Sequence, residues 1–241
     1  MLTGMSRLHV FDLDGTLIHG TAAPVVISRR LGVLDEVHEL ERALLAGEID
    51  PPGYAVRVHA LWGGLTEDVV AEAFDDAPWL DGIREVWAEI RERGEYCAVV
   101  SLSPGFFVER LLEWGAHAAH GSRFPAVPFR EPIDPAGILT AAAKVRIADE
   151  LCARFGVGWD RCVAYGDSMS DVELFGAVST SVAVNADHHV GGLATHSYTG
   201  RDLREAYALV ADAHPSPAGS ASTCASTPSA TPGRRSASAR R

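Results

Sequence analysis

Apolar residues follow two spacings along this chain, and the two divide it into different kinds of element. Short, mostly apolar runs without alternation occur at Leu8 to Phe11, Tyr96 to Val100, Cys162 to Tyr165 and Thr180 to Val184. Runs of this length predict strands buried on both faces, as in a parallel sheet covered by helices. Elsewhere apolar residues recur every three or four positions, the spacing of an amphipathic helix. Four such stretches fall between the first and second strands: Val25 to Leu31, Leu34 to Leu45, Gly53 to Trp62 and Thr66 to Phe74, with Gly32, Gly47 and Gly63-Gly64 as breaks. Asp50 ahead of Pro51, and Thr66 ahead of Glu67-Asp68, have the chemistry of helix starts. Ile83 to Arg93, Phe106 to Trp114, Ala142 to Phe155 and Leu203 to Ala211 continue the helical pattern, the first two ended by Gly94 and Gly115.

Strands that alternate with helices predict an α/β fold. The expectation is a Rossmann-like parallel-sheet core over 1–19 and 82–214, with a helical cap inserted after the first strand over 20–81. Hinges are expected near His19-Gly20 and Asp81-Gly82. Residues 124–138, with four prolines, read as a loop. Residues 215–241 are almost wholly Ser, Ala, Pro, Thr, Gly and Arg, a composition that buries too little apolar surface to order itself, so a disordered tail is expected.

Composition narrows the partners. At 241 residues and 47% hydrophobic content, the chain can bury one substantial core and a small insertion. Its formal charge is −11, and because the tail's four arginines offset part of it, the rest carries −15. A body that acidic repels nucleic acid and anionic lipid. The four cysteines, Cys97, Cys152, Cys162 and Cys224, are widely spaced without a CxxC, as reduced packing residues would be. No signal-peptide pattern or membrane-length apolar run appears, so a cytoplasmic location is expected.

The chemistry lies where the strands end. Asp12-Leu13-Asp14-Gly15-Thr16 follows the first strand, and Gly166-Asp167-Ser168-Met169-Ser170-Asp171 follows Cys162 to Tyr165. In a parallel sheet, ligands bind at the carboxyl ends of strands, so acids at two strand ends can share one site. Carboxylates gathered this way repel unless a cation lies among them, and a hard divalent ion with oxygen ligands suits them. The bland alternative for the first motif is an ordinary Asp-Gly turn. The strand from Tyr96 ends in Ser101-Leu102-Ser103-Pro104-Gly105, whose hydroxyl and backbone N–H groups suit a phosphate oxygen. Lys144 is the only lysine in the chain, and an ammonium can neutralise a phosphoryl oxygen, although a solvated surface lysine is the alternative. Asp187-His188-His189 is a poor metal site, since adjacent histidines rarely face the same way.

The order Asp12-x-Asp14, Ser101, Lys144, Asp167 to Asp171 resembles the haloacid dehalogenase superfamily of aspartate-nucleophile phosphatases, over roughly residues 8 to 212. The nearest likeness is to its phosphoserine phosphatase-like branch. The resemblance implies Asp12 as nucleophile and Asp14 as general acid/base. It implies a phosphate site at Ser101, Leu102 and Lys144, magnesium held by Asp12, Asp14 and Asp167, and Asp171 supporting the metal site. The sequence departs from that branch where substrate is recognised. Neutral Thr21 stands where the branch has an ammonium-binding glutamate, and Val58, beside Arg57, stands at the cap arginine. Leu102 and the residues after it replace the usual two glycines. The resemblance with these departures implies a magnesium-dependent hydrolase of a small metabolite phosphate other than phosphoserine. Tyr54, Trp62 and Trp79 leave room for a ring-bearing alcohol such as a sugar, cyclitol or aromatic metabolite. The alternatives are a phosphoserine phosphatase or a phosphomutase on the same fold. Asp14 argues against a dehalogenase, and the inserted cap argues against a receiver-like signalling domain. The sequence carries no indication of oligomeric state.

Overall fold

The computed structural model describes residues 6–211, so the tail expected from residue 215, with Cys224, lies outside the described residues. Six strands form one parallel sheet: β1 (Leu8–Phe11), β2 (Tyr96–Pro104), β3 (Ala118–Ser122), β4 (Cys162–Gly166), β5 (Thr180–Val184) and β6 (His196–Tyr198). They lie in the order β3-β2-β1-β4-β5-β6, which puts β1 at the centre. Phe11 is level with Val99 of β2 and Tyr165 of β4, so the residues that follow emerge at one edge.

Four helices, α1 (Ala23–Leu31), α2 (Leu34–Leu45), α3 (Pro51–Leu61) and α4 (Glu67–Asp75), form the cap inserted after β1. The remaining helices are α5 (Ile83–Glu92), α6 (Gly105–Val108), α7 (Ala141–Phe155), α8 (Val172–Ala177), α9 (His188–Gly191) and α10 (Leu203–Ala211). Leu8 and Val10 face a core completed by Ile147 and Leu151 of α7, whereas Phe11 belongs to the opposite core with Trp87 of α5 and Tyr207 of α10. Both faces of β1 are thus buried, which is why its sequence shows no alternation.

Two expected caps are present. The Asp50 side chain accepts from Gly53 N at 2.8 Å, and Thr66 accepts from Val69 N at 3.3 Å. Inside the cap, buried Trp62 donates to Ser28 Oγ at 2.8 Å, which ties α1 to the end of α3. Trp79 does not face a substrate space. Its indole donates to the Phe74 carbonyl at 2.7 Å and packs against Phe107 and Trp114, so it is core.

The pattern from Phe106 to Trp114 is not one α-helix, because α6 tightens into a 3-10 turn over Glu109–Trp114. Strands β3 and β6 and helix α9 lie outside the predicted elements. Ala118-Ala-His-Gly-Ser122 has no β-branched residue, and it is extended because it pairs with β2. Asp187 caps α9 by accepting from Val190 N, a structural task that accounts for the Asp-His-His segment.

His9 is fully buried within β1, its Nε2 3.1 Å from Glu95 Oε2 and its Nδ1 3.0 Å from the Tyr165 hydroxyl. The neutral tautomer satisfies both contacts, with Nε2–H donating to Glu95 and Nδ1 accepting from Tyr165. Burial holds its pKa below the ordinary 6.5, outweighing the raising effect of Glu95. The unfolded chain therefore binds this proton at higher pH than the folded one. Stability from the neutral imidazole is present above about pH 6.5 and falls below it, by up to about 1.4 kcal/mol per pH unit, until the folded pKa is reached. Urea midpoints of wild type and His9→Gln between pH 7.5 and 5 should converge on acidification. Parallel curves would contradict a neutral His9.

Candidate active site

The turn after β1 brings the acids together. Asp12 N donates to the Tyr165 carbonyl at 2.9 Å, which continues the β1–β4 pairing by one residue and leaves the carboxylate at the sheet edge. Gly15 then turns the chain at φ 73°, with its Cα packed against the Asp167 carboxylate so closely that a Cβ has no space.

Buried Lys144, in the first turns of α7, reaches across this edge. Its Nζ lies 2.8 Å from Asp12 Oδ1, 2.6 Å from Asp171 Oδ1 and 3.1 Å from Ser170 Oγ. The other Asp171 oxygen accepts from the N–H groups of Asp167 and Ser168, both at 3.2 Å. Burial disfavours the Lys144 ammonium, but Asp12 and Asp171 outweigh it and hold its pKa above the usual lysine value. Burial and then repulsion from Asp171 push Asp12 well above the carboxylate range despite the Lys144 contact. Asp167 is pushed up to about 7, by burial and then by Asp171 and Asp14. One ammonium shared by two carboxylates cannot neutralise the group, and the excess negative charge adds to burial in raising the Asp12 and Asp167 values.

Asp12, Asp167 and Asp171 each offer an oxygen within 4.8 Å of the others. An all-oxygen donor set with surplus negative charge fits a hard divalent cation. The side chain of Asp14, expected among the metal ligands, is outside this group. Its Oδ1 accepts from Ala23 N at 2.7 Å, and its Oδ2 from Ser103 Oγ at 2.6 Å and Ser101 Oγ at 3.3 Å. These donors engage both oxygens of the carboxylate. Burial raises the Asp14 pKa, opposed by the Ser103 and Ala23 hydrogen bonds.

Ser101 therefore stands beside Asp14 and accepts from Ser103 N at 3.1 Å, while the Leu102 carbonyl accepts from Ser122 Oγ at 2.6 Å. Ser103, with the shortest hydroxyl contact to Asp14, was not among the expected residues. The strand was expected to end at Val100, and only its continuation to Pro104 puts Ser101 and Ser103 on one face.

A cavity of about 200 Å³ opens on Asp14. Tyr54, Val58 and Trp62 of the cap line it together with Leu102 and Phe124, and among the described residues Glu41 is the only charged lining side chain besides Asp14. Arg57 is exposed and does not line the cavity, because the one-residue offset from Val58 turns it about 100° around α3. Thr21 is also outside the lining, and its carbonyl accepts from Gly15 N at 3.0 Å. The Pro-rich segment contributes Phe124 and Ile138 to the wall.

A central parallel sheet, an inserted helical cap and an acid cluster bridged by one lysine define a hydrolase of the haloacid dehalogenase type. The chain belongs to the haloacid dehalogenase-like hydrolases, whose sequence model matches residues 9–176. It is 28% identical over 199 residues to a phosphoserine phosphatase of Archaeoglobus fulgidus, an alignment covering 82% of this chain and 58% of that one. It is 30% identical over 189 residues to a phosphoserine phosphatase of Mycobacterium tuberculosis, covering 75% of this chain and 44% of the relative. The chain thus spans about half the length of these two relatives. Among solved structures, a substrate-bound phosphoserine phosphatase complex superposes with a TM-score of 0.72 at 23% identity, covering 86% of this chain and 99% of that one. That likeness is one of fold.

Proposed function

We propose that this chain is a magnesium-dependent phosphatase that hydrolyses a small phosphate monoester through an aspartyl-phosphate, with phosphoserine as the leading substrate. The observation that carries the reaction class is the buried Lys144 bridge between Asp12 and Asp171, with Asp14 held separately by three donors. On substrate, the relatives' names favour phosphoserine over the sugar, cyclitol or aromatic ester expected from the sequence. Tyr54 and Trp62 in the cavity wall are the features that speak for a ring.

In the proposed reaction, Asp12 attacks phosphorus in line, and the bond from phosphorus to the alcohol oxygen breaks. Protonated Asp14, its pKa raised, gives its proton to the departing oxygen. Asp14, now a carboxylate, takes a proton from water as that water attacks the phosphorus carried by Asp12, and the bond from phosphorus to the Asp12 oxygen breaks, which releases phosphate and restores both acids. Lys144 offsets negative charge beside the phosphoryl group. Magnesium held by Asp12, Asp167 and Asp171 would supply further charge neutralisation. The free, buried thiols of Cys97, Cys152 and Cys162 fit the cytoplasmic setting this proposal includes.

The test is phosphate release from phosphoserine and a panel of other esters, with Mg²⁺ and with excess chelator. Activity that survives chelation, or no hydrolysis across the panel, would reject the proposal. Asp14→Asn separates the two half-reactions, because it removes the proton donor and the base while leaving Asp12 intact. With an aryl phosphate, whose leaving group needs little protonation, steady turnover should fall about 10²-fold or more and phosphoryl-enzyme should accumulate. Acid quench followed by intact-mass measurement checks this. An absence of covalent phosphate would contradict the assigned roles.

A further inference from the structure

We propose that Ser103 positions Asp14 for proton transfer, its hydroxyl holding Oδ2 of that carboxyl group through both half-reactions. This rests on the phosphatase proposal. The two oxygens of Asp14 have different partners. Oδ1 takes the backbone N–H of Ala23 at 2.7 Å, a group that only donates and so favours the proton on the other oxygen. Oδ2 faces two serine hydroxyls, which both donate and accept, and it is therefore where the proton resides when Asp14 is an acid. Of the two, Ser103 is the close partner. Its Oγ lies 2.6 Å from Oδ2, the separation of a hydroxyl that donates to a charged oxygen, whereas Ser101 Oγ is 3.3 Å away and already accepts from Ser103 N. Ser103 is buried and lines the cavity beside Asp14, whereas Ala23 and Ser101 do not line it.

As Asp14 protonates the departing alcohol, the O–H bond at Oδ2 breaks, one forms on the alcohol oxygen, and the electron pair left on Oδ2 becomes a buried negative charge. The Ser103 hydroxyl accepts from Oδ2 until the alcohol oxygen takes the proton, then turns about its Cβ–Oγ bond and donates to the carboxylate. When Asp14 later takes a proton from water, the turn is reversed. The carboxyl group thus keeps one orientation in both states, and its developing charge meets a dipole already in place. Ser103 acts through Asp14 and is a positioning residue. Its backbone N–H, tied to Ser101 Oγ, and the continuation of β2 to Pro104 fix it there.

Substituted phenyl phosphates, alike in shape and graded in the basicity of the departing phenol, read this proton transfer. Log kcat/KM should be measured against the pKa of the phenol for full-length wild type, Ser103→Ala and Ser103→Thr, with Mg²⁺ present. In Ser103→Ala the line should steepen, with phenyl phosphate losing about tenfold or more relative to 4-nitrophenyl phosphate, the worth of one charge-assisted hydrogen bond. A basic phenolate needs the proton as it leaves, and a nitrophenolate needs little of it. Each comparison is made within one protein, so any loss of folded enzyme cancels. Ser103→Thr keeps the hydroxyl and should retain the wild-type slope. A wild-type slope in Ser103→Ala, or an equal steepening in Ser103→Thr, would overturn the role of the hydroxyl and leave the phosphatase proposal standing. No turnover of any ester by the wild type would reject both.

Discussion

Asp12→Asn should reduce phosphate release by about 10³-fold or more at saturating Mg²⁺, while the protein remains folded. The amide keeps the size of the side chain, and the backbone N–H of residue 12 still pairs with Tyr165. It loses the oxygen proposed as nucleophile and the charge that faces Lys144 at 2.8 Å. The raised pKa of Asp12 means that its charged form is disfavoured in the fold, first by burial and then by Asp171. The metal-free variant should therefore unfold no earlier in urea than the wild type at pH 7.5, where the lost charge would otherwise be at its most costly. Initial rates with phosphoserine and an aryl phosphate, together with urea midpoints, measure both effects. Activity within tenfold of wild type would remove Asp12 from the nucleophile's role.

Lys144→Met should damage stability and rate together. Lys144 is 1% exposed and lies between two carboxylates, so its loss leaves Asp12 and Asp171 buried without a counter-charge. Removing one partner from such a group typically costs about 3–5 kcal/mol, most of it the penalty for the charge left behind. The rate should fall about 10²-fold or more, since the ammonium no longer offsets the phosphoryl charge. Adding Asp171→Asn to Lys144→Met should recover part of the stability and none of the rate, a non-additivity that contacting residues show. Lys144→Arg should restore little, because the broad guanidinium fork does not fit between oxygens placed 2.8 and 2.6 Å from a single nitrogen. Unchanged denaturation midpoints in Lys144→Met would show that the bridge carries no stability.

Much of the architecture was legible because the local signals agree with the fold. The uninterrupted apolar runs became central strands, the three- and four-residue spacings became the cap helices, and Asp50 and Thr66 cap the helices they precede. Strands β3 and β6 were hidden because the sheet pairs them at its edges without needing an apolar run. At the site, Asp12, Lys144, Asp167 and Asp171 were legible because acids at strand ends and a solitary lysine are rare enough to stand out. Ser103 escaped because its role depends on how far β2 extends. Glu41 escaped because the heptad-like pattern of α2 gives no hint of which polar face looks into a cavity rather than into water. Thr21 was selected by alignment to a family position and Arg57 as the neighbour of another, Val58, and of these three only Val58 lines the space that the cap encloses.

The hydrogen bond from Ala23 N to Asp14 makes the first turn of α1 part of the setting of the proposed acid/base residue. Entry and exit of the insertion are also stitched together, with His19 N donating to the Pro78 carbonyl and Leu80 N to the Leu17 carbonyl. Anyone recombining specificities across this family by exchanging caps would naturally cut at the exposed glycine at position 20. That junction would hand the donor on which Asp14 depends to a foreign backbone and split the paired segments that seat the insertion. Chimaeras spliced inside 24–77 instead should keep Asp14 in its native hydrogen-bonded setting while the cavity wall is replaced.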